Sequence, residues 1–406
     1  MRPNIILLLA DDMGWGQVGY NGHPRLTTPN INALAANGLR FDRFYSSGPF
    51  CSPTRAAILT GRTGDRCGVH RPFYRLRIQE KSFVKALKSS GYETGHFGKW
   101  HLSGLRGSPG APVVPEDTHG PAQFGFKKWV ANTCNINPTT ILGDDSGAFS
   151  ETPNDSSADI ADATNDFIDA SVQAGKPFFA NVWFSSPHAP FVALPQNKAM
   201  FEGMGLSESG ENQHGMIVEL DNAIGVIRQK LRDLNIENDT LVWFCSDNGG
   251  LPDVDPDAVG SLNGEKDTLY EGGLRVPCAV EWPTHIQPSI TQQLAYTSDI
   301  ASTLLGVAGV SNLNLLYPQD GESICAVLTD GAKIENRALA FHSWGRGALI
   351  SDRWKIVTHD VRGDATWELY DLQTDPNETH DVAAHHQDKI AILSNKYWSS
   401  RSARKM

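Results

Sequence analysis

The chain has 406 residues, 40% of them hydrophobic and 20% charged, which is enough apolar content for a sizeable core plus a second, smaller unit. Its formal net charge of -11 argues against a nucleic-acid partner, so any anion site must be a local island of cations. No segment approaches the roughly 20 apolar residues of a membrane span, and no membrane insertion is expected.

Met1 to Ala10 carries one charge and a short apolar run that breaks into Asp11-Asp12, which reads as a strand over Asn4 to Ala10 rather than a signal core. Thr28-Pro29 then opens a short helix, with Ile31, Leu34 and Ala35 on one face and Gly38 at its end. A second helix is predicted with Ser52 as its cap, Pro53 at its first position and Gly61 just past its end. Cys51 would then lie at a positive helix N-terminus, where anions bind, and Arg55 on the same side could hold an oxyanion there. The stretches Gly104 to Asp117 and Asn132 to Asp159, rich in Gly, Pro, Asn, Asp and Ser, are expected as excursions that shape a cleft.

Branched and aromatic residues predict strands over Phe178 to Phe184 and Thr240 to Cys245. Between them Ile217, Leu220, Ile224, Ile227, Leu231 and Leu234 recur at steps of three and four, the pattern of a crossover helix joining parallel strands. After Leu315 a Pro-Gln-Asp-Gly turn precedes short alternating stretches at Ala338 to Phe341, Ala348 to Ile350 and Lys355 to Thr358, expected as an antiparallel sheet. The fold class is α/β: a large central mixed, mostly parallel sheet flanked by helices over residues 1–330, and a small C-terminal α+β domain with an antiparallel sheet over 331–406.

Open α/β sheets bind ligands beyond the carboxyl ends of their strands. Here three predicted strands run into Asp11-Asp12, His188 and Asp247-Asn248. Three carboxylates and an amide oxygen form a hard set that favours Ca²⁺ or Mg²⁺ over zinc. Lys99 and His101 share a face if their segment is extended. Pro187-His188-Ala189-Pro190 sets a histidine in a stiff turn. Of the six cysteines, Cys245 and Cys278 read as buried thiols, and Cys51 is the one whose neighbours suggest chemistry. Trp15, Trp100, Trp183 and Trp344 are candidate sugar-stacking platforms.

Cys51-Ser52-Pro53-Thr54-Arg55, flanked by Gly48-Pro49-Phe50 and Leu59-Thr60-Gly61-Arg62, resembles the signature of the type I, formylglycine-dependent sulfatases. Gly98-Lys99-Trp100-His101, Gly264-Glu265-Lys266, Tyr270 to Pro277 and Leu369 to Pro376 resemble further blocks of that family, in the same order. The resemblance implies an alkaline-phosphatase-like fold, calcium held by Asp11, Asp12, Asp247, Asn248 and residue 51, and a formylglycine made from Cys51 by a formylglycine-generating enzyme. Arg55, Lys99, His101, His188 and Lys266 would surround the sulfate. His188 with Lys266 would protonate the leaving alcohol, and His101 near Lys99 would take a proton from the aldehyde hydrate. Asp267 departs from the small residues common after the family's lysine.

The implied substrate is a sulfated carbohydrate, with Lys99, His188 and Lys266 contacting it. In the basic stretch that follows the nucleophile helix, His70 and Arg71 are expected either to reach a second anionic group on the sugar or to form a solvated basic surface. A periplasmic or extracellular site is expected if an export signal has been removed, and a cytoplasmic one otherwise. The rival readings are a formylglycine-dependent phosphodiesterase or phosphonate monoester hydrolase and, from another class, a catalytically silent binder of sulfated glycans.

Overall fold

Ten strands form one sheet in the computed structural model, which describes residues 2–104, 110–134, 139–153, 156–312, 315–362 and 365–402; the two expected excursions lie partly outside them. Its centre is parallel: Thr240–Ser246, Asn4–Ala10, Phe178–Trp183, Glu93–Lys99 and Lys128–Asn132 lie side by side in that order. Antiparallel pairing appears towards both edges, through Cys278–Glu281 on one side and Thr139–Asp144 on the other.

The central strand explains the layering. Ile5, Leu7 and Leu9 pack into a core on one face, while Ile6, Leu8 and Ala10 pack into a core on the other. A strand buried on both faces reads as a continuous apolar run. Truncating one of its leucines to alanine would cost about 2–5 kcal/mol.

The crossover helix spans Glu208–Asp233 and begins earlier than its apolar repeat, because Ser207 accepts the Gly210 N–H at 3.1 Å as an N-cap. The helix Pro29–Asn37 ends before Gly38 as expected, but Thr28 does not cap it. Asp221 of the crossover helix does so across space, accepting the N–H groups of Asn30 at 3.1 Å and Ile31 at 2.9 Å.

The helix Cys51–Thr60 departs from expectation at its start. Residue 51 is already its first residue, so Ser52 and Pro53 lie inside the first turn. The Ser52 hydroxyl instead donates to the His101 carbonyl at 2.9 Å, tying the helix head to another loop of the rim. Gly61 closes the far end in the left-handed region, its N–H on the Ala57 carbonyl at 2.8 Å.

Strand Glu93–Lys99 has no apolar run to announce it. Gly98 has φ +100°, and a Cβ there would lie 2.1 Å from the Trp183 carbonyl oxygen, so only glycine allows the neighbouring strand this close.

The C-terminal sheet runs Ala338–Ser343, Arg346–Ser351, Trp354–Thr358 and Glu368–Asp371 in sequential antiparallel order. One face packs with Leu393 and Tyr397 of the terminal helix Gln387–Ser402. The other shares a core with Tyr45, Leu274 and Tyr296 of the large unit. No helix among the described residues is long and apolar enough to cross a membrane.

Candidate active site

Four parallel strands deliver their following residues to one rim. The ladder continues past the strand ends: Asp247 N–H donates to the Ala10 carbonyl at 3.2 Å and Asp11 N–H to the Ser186 carbonyl at 3.0 Å. Asp11 and Asp247 therefore leave adjacent strands side by side. Asp12 turns back in the left-handed region at φ 65° and donates its N–H to Asp247 Oδ1 at 3.2 Å. Lys266 enters on a loop pinned twice, by its own N–H on the Gly250 carbonyl and by Asp267 N–H on the Pro49 carbonyl, both at 3.1 Å.

Three carboxylates face three permanent cations here. Arg55 sets Nε at 3.0 Å and Nη2 at 2.8 Å from Asp247 Oδ2, and Nη1 at 2.9 Å from the Lys99 carbonyl. Lys99 is ion-paired with Asp11 and its Nζ lies 3.9 Å from Cys51 Sγ. Lys266 Nζ donates to Asp12 Oδ2 at 2.6 Å, with His188 Nε2 at 3.6 Å from the same oxygen. Ligand atoms of Asp11, Asp12, Cys51 and His188 all lie within 4.8 Å of one another.

Two oxygens decide whether a cation fits. Asp11 Oδ1 and Asn248 Oδ1 are buried without a hydrogen-bond donor among the described residues, an expensive arrangement for an isolated acceptor. Asn248 is oriented by its amide N–H groups, Nδ2 donating to Asp12 Oδ1 at 2.8 Å and the Gly249 carbonyl at 3.0 Å. Hard acceptors from Asp11, Asp12, Asp247 and Asn248 fit a divalent cation of the Ca²⁺ or Mg²⁺ type.

Electrostatics separate the titrating groups. Burial alone would raise Asp11, but Lys99, His188, Arg55 and Lys266 hold it well below the carboxylate range. Burial, then the adjacent Asp11 charge, pushes Asp247 up to about 7 despite Arg55. Burial raises the Cys51 thiol far above its ordinary value, so the unmodified side chain is a poor nucleophile. Burial drives His101 well below the imidazole range, with Lys99 and Arg55 adding to it. His188 is also lowered, by burial and then Lys99, against the opposing pull of Asp12 and Asp11.

His101 is not placed by the strand alternation expected from its spacing to Lys99. The strand ends at Lys99, and His101 sits at φ 56° with neither ring nitrogen hydrogen-bonded among the described residues. Its ring is braced edge-on by Phe73, centroids 4.9 Å apart, a contact no sequence signal announced. Trp183, lying 5.1 Å under the Arg55 guanidinium, and Trp100 are interior residues rather than sugar platforms; Trp344 is exposed. His70 and Arg71 line a separate cavity of about 330 Å³, where His70 faces Asp65 at 3.4 Å.

A network that sequence reasoning missed holds the loop after Asp12. Gln17 accepts the Gly14 N–H at 3.0 Å and donates to Asp255 Oδ2 at 2.9 Å, and His23 Nε2 lies 3.1 Å from the same oxygen. His23 Nδ1 accepts two backbone N–H groups, from Arg25 and Leu26, so its Nε2 carries the proton and donates to Asp255. The His23, His214 and Asp255 cluster is therefore a hydrogen-bonded brace.

Fold and site together define an ester hydrolase built for a tetrahedral oxyanion: a helix-head residue, a hard-cation carboxylate set, and lysines and histidines around one point on a parallel-sheet rim. The family model described as Sulfatase matches residues 3–310, and that of N-sulphoglucosamine sulphohydrolase, C-terminal, matches 264–399. Arylsulfatase A of Bos taurus is 31% identical over 444 residues, covering 94% of this chain and 83% of that protein. N-acetylgalactosamine-6-sulfatase of Mus musculus is 33% identical over 346 residues, covering 76% of this chain and 63% of that protein. The solved structure of Ps i-CgsB in complex with k-i-k-neocarrahexaose superposes with a TM-score of 0.88 at 24% identity, covering 100% of this chain and 94% of that one. The chain belongs to the sulfatase family, whose members are sulfuric ester hydrolases.

Proposed function

We propose that this sulfatase removes sulfate from a carbohydrate, with residue 51 acting as a formylglycine and calcium held by Asp11, Asp12, Asp247, Asn248 and residue 51. The observation that carries the reading is the position of residue 51, at the head of a fully buried helix, 3.9 Å from the Lys99 ammonium and clustered with Asp11, Asp12 and His188. The carbohydrate class is supported by relatives named for N-acetylgalactosamine 6-sulfate and by a neighbour solved with a carrageenan oligosaccharide.

A formylglycine, installed by a formylglycine-generating enzyme, supplies as its hydrate one hydroxyl to attack sulfur and a second whose deprotonation releases sulfate. Bound calcium supplies a Lewis acid for a sulfate oxygen. Without it the three carboxylates and three cations balance; a divalent ion raises the site to about +2, matched to an anionic ester.

The side chains divide the remaining work. Arg55 fixes Asp247 and adds positive charge, while Lys99 and Lys266 bracket the sulfate oxygens. His101, neutral and with neither ring nitrogen hydrogen-bonded among the described residues, takes the hydrate proton. His188 Nδ1–H donates to the Ala189 carbonyl at 2.5 Å, so the proton given to the leaving alcohol is the second one, carried on Nε2 of the imidazolium, with Lys266 beside it. We further assign catalysis to residues 1–330, with 331–406 as a smaller unit packed against it.

The test is mass spectrometry of the peptide containing residue 51, from protein made with and without a formylglycine-generating enzyme, alongside hydrolysis of matched aryl sulfate and aryl phosphonate esters. Aldehyde content and sulfate release should rise together. Sulfate release from protein retaining only cysteine would refute the aldehyde assignment, and faster phosphonate than sulfate cleavage would favour the rival hydrolase.

A further inference from the structure

The segment 69–74 serves two places. Phe73 braces the His101 ring, whereas Arg71 and Tyr74 face the cavity of about 330 Å³ whose opposite wall is His342 to Gly345 of the C-terminal sheet. There the Arg71 guanidinium lies 5.1 Å from the Tyr74 ring centre and 4.8 Å from that of Trp344. No carboxylate or hydrogen-bond acceptor engages it among the described residues. Asp65 is the acidic residue lining the cavity, and it is already occupied by His70 at 3.4 Å, Arg401 at 3.6 Å and His342 at 3.9 Å.

An arginine held over two aromatic rings keeps its N–H edge free and its fork pre-organised, which suits a carboxylate or sulfate better than a mobile lysine would. The backbone points the same way. Trp344 and Gly345 form the two-residue turn between Ser343 and Arg346, and Trp344 sits at φ 55° with 59% of its surface exposed. A bulky side chain in the left-handed region is a strained choice where asparagine or glycine is usual. The ring packs on the Arg71 guanidinium, lines the cavity and keeps apolar surface exposed to a ligand there.

The cavity adjoins the catalytic centre. Gly48 and Pro49, just before Cys51, form part of its wall, and Arg346 after the turn pairs with Asp267 at 2.6 Å, beside Lys266. We propose that this cavity is a second sugar subsite, taking an acidic pyranose linked to the sugar that bears the scissile sulfate, with Arg71 reading its carboxylate or sulfate and Trp344 lying against its ring. The assignment rests on the sulfatase reading.

The test compares wild type with Arg71→Ala, Arg71→Lys and Trp344→Ala. The probes are a chondroitin 6-sulfate disaccharide with a uronate neighbour, a carrageenan oligosaccharide with a sulfated neighbour, and N-acetylgalactosamine 6-sulfate and 4-nitrophenyl sulfate with none. Kd is read by calorimetry on the unconverted cysteine protein and kcat/KM on the converted enzyme. Arg71→Ala should weaken one acidic-neighbour sugar at least tenfold more than the probes without a neighbour, with Trp344→Ala acting in the same direction and Arg71→Lys restoring only part. The affected arm identifies the anion. Equal effects on both classes, or wild-type binding of the oligosaccharides no tighter than of the monosaccharide, overturns the subsite. Failure of converted wild type on 4-nitrophenyl sulfate instead strikes the sulfatase reading, and calorimetry still decides the subsite.

Discussion

Arg55 places two nitrogens on a single oxygen of Asp247, at 3.0 and 2.8 Å, with both side chains fully buried. The pair lies beside Asp11 and Asp12, so Arg55 holds together a carboxylate cluster that would otherwise repel itself. Removing one partner of a buried ion pair costs about 3–5 kcal/mol, because the remaining charge is left unpaired. Arg55→Ala should lose that much in urea denaturation. Arg55→Lys keeps the charge but not the fork, and should lose about 1.5–3 kcal/mol. Equal stability of wild type and Arg55→Ala would show that the cluster needs no such counterion.

Asp11 Oδ1 and Asn248 Oδ1, without hydrogen-bond donors among the described residues, belong to the proposed calcium site, so metal binding there is expected to act on stability as well as on catalysis. Calcium at about 100 times its Kd should stabilise the fold by roughly 2.7 kcal/mol, seen as a rise in Tm reversed by chelation. Asn248→Ala removes a ligand without changing charge and should blunt both the shift and the calcium content measured by elemental analysis. A Tm indifferent to calcium in wild type would sink the assignment.

The two histidines should shape the pH profile. In the proposed mechanism His101 is the base and must be neutral, and burial with Lys99 and Arg55 lowers it further than His188 is lowered. His188, the proposed acid, must be protonated. Activity therefore rises with pH through the His101 value and falls through the His188 value, a bell in kcat/KM lying below the ordinary histidine value of 6.5. His188→Ala should cost about 10²–10⁴-fold on a sugar sulfate, whose alkoxide leaves poorly. The loss should be much smaller on 4-nitrophenyl sulfate, which needs little protonation. Equal losses on the two substrates would remove His188 from the acid role.

What the sequence could disclose follows from how local each signal is. Asn4–Ala10 and Thr240–Ser246 are buried on both faces, so their apolar runs announce strands and their polar ends announce the rim. Glu93–Lys99 stayed hidden because Gly95 and Gly98 stand where branched residues would mark a strand, and the reason for Gly98 lies on the neighbouring strand. Lys266 meeting Asp12 depends on loop closure against Gly250 and Pro49. The packing of Arg71 on both Tyr74 and Trp344 brings the segment 71–74 to a turn far along the chain, and no local periodicity encodes it.

Lys355 offers a pH test remote from catalysis. Its buried ammonium is shared by Glu271 at 3.0 Å and Glu378 at 2.8 Å, joining the C-terminal sheet to the segment that follows Lys266. Burial, then the Glu271 charge, raises Glu378 from 4.5 to about 7, against the pull of Lys355. Glu271 is held low by Lys355 and Arg275, so its own titration falls in a more acidic window. With the folded value above the unfolded one, the folded chain keeps a proton that the unfolded chain has released. The stabilising contribution of Glu378 is thus full below pH ~4.5 and is lost as pH rises towards 7. A rise from 4.5 to about 7 corresponds to roughly 3 kcal/mol. Glu378→Gln cannot ionise, yet its amide oxygen can still accept the Glu271 N–H that Glu378 takes at 2.7 Å. Urea midpoints between pH 5 and 8 should therefore fall more steeply in wild type than in Glu378→Gln. Lys355→Met, which leaves two carboxylates facing each other, should lose about 3–5 kcal/mol and more at pH 8 than at pH 5. Parallel slopes in wild type and Glu378→Gln would place the pH dependence elsewhere in the molecule.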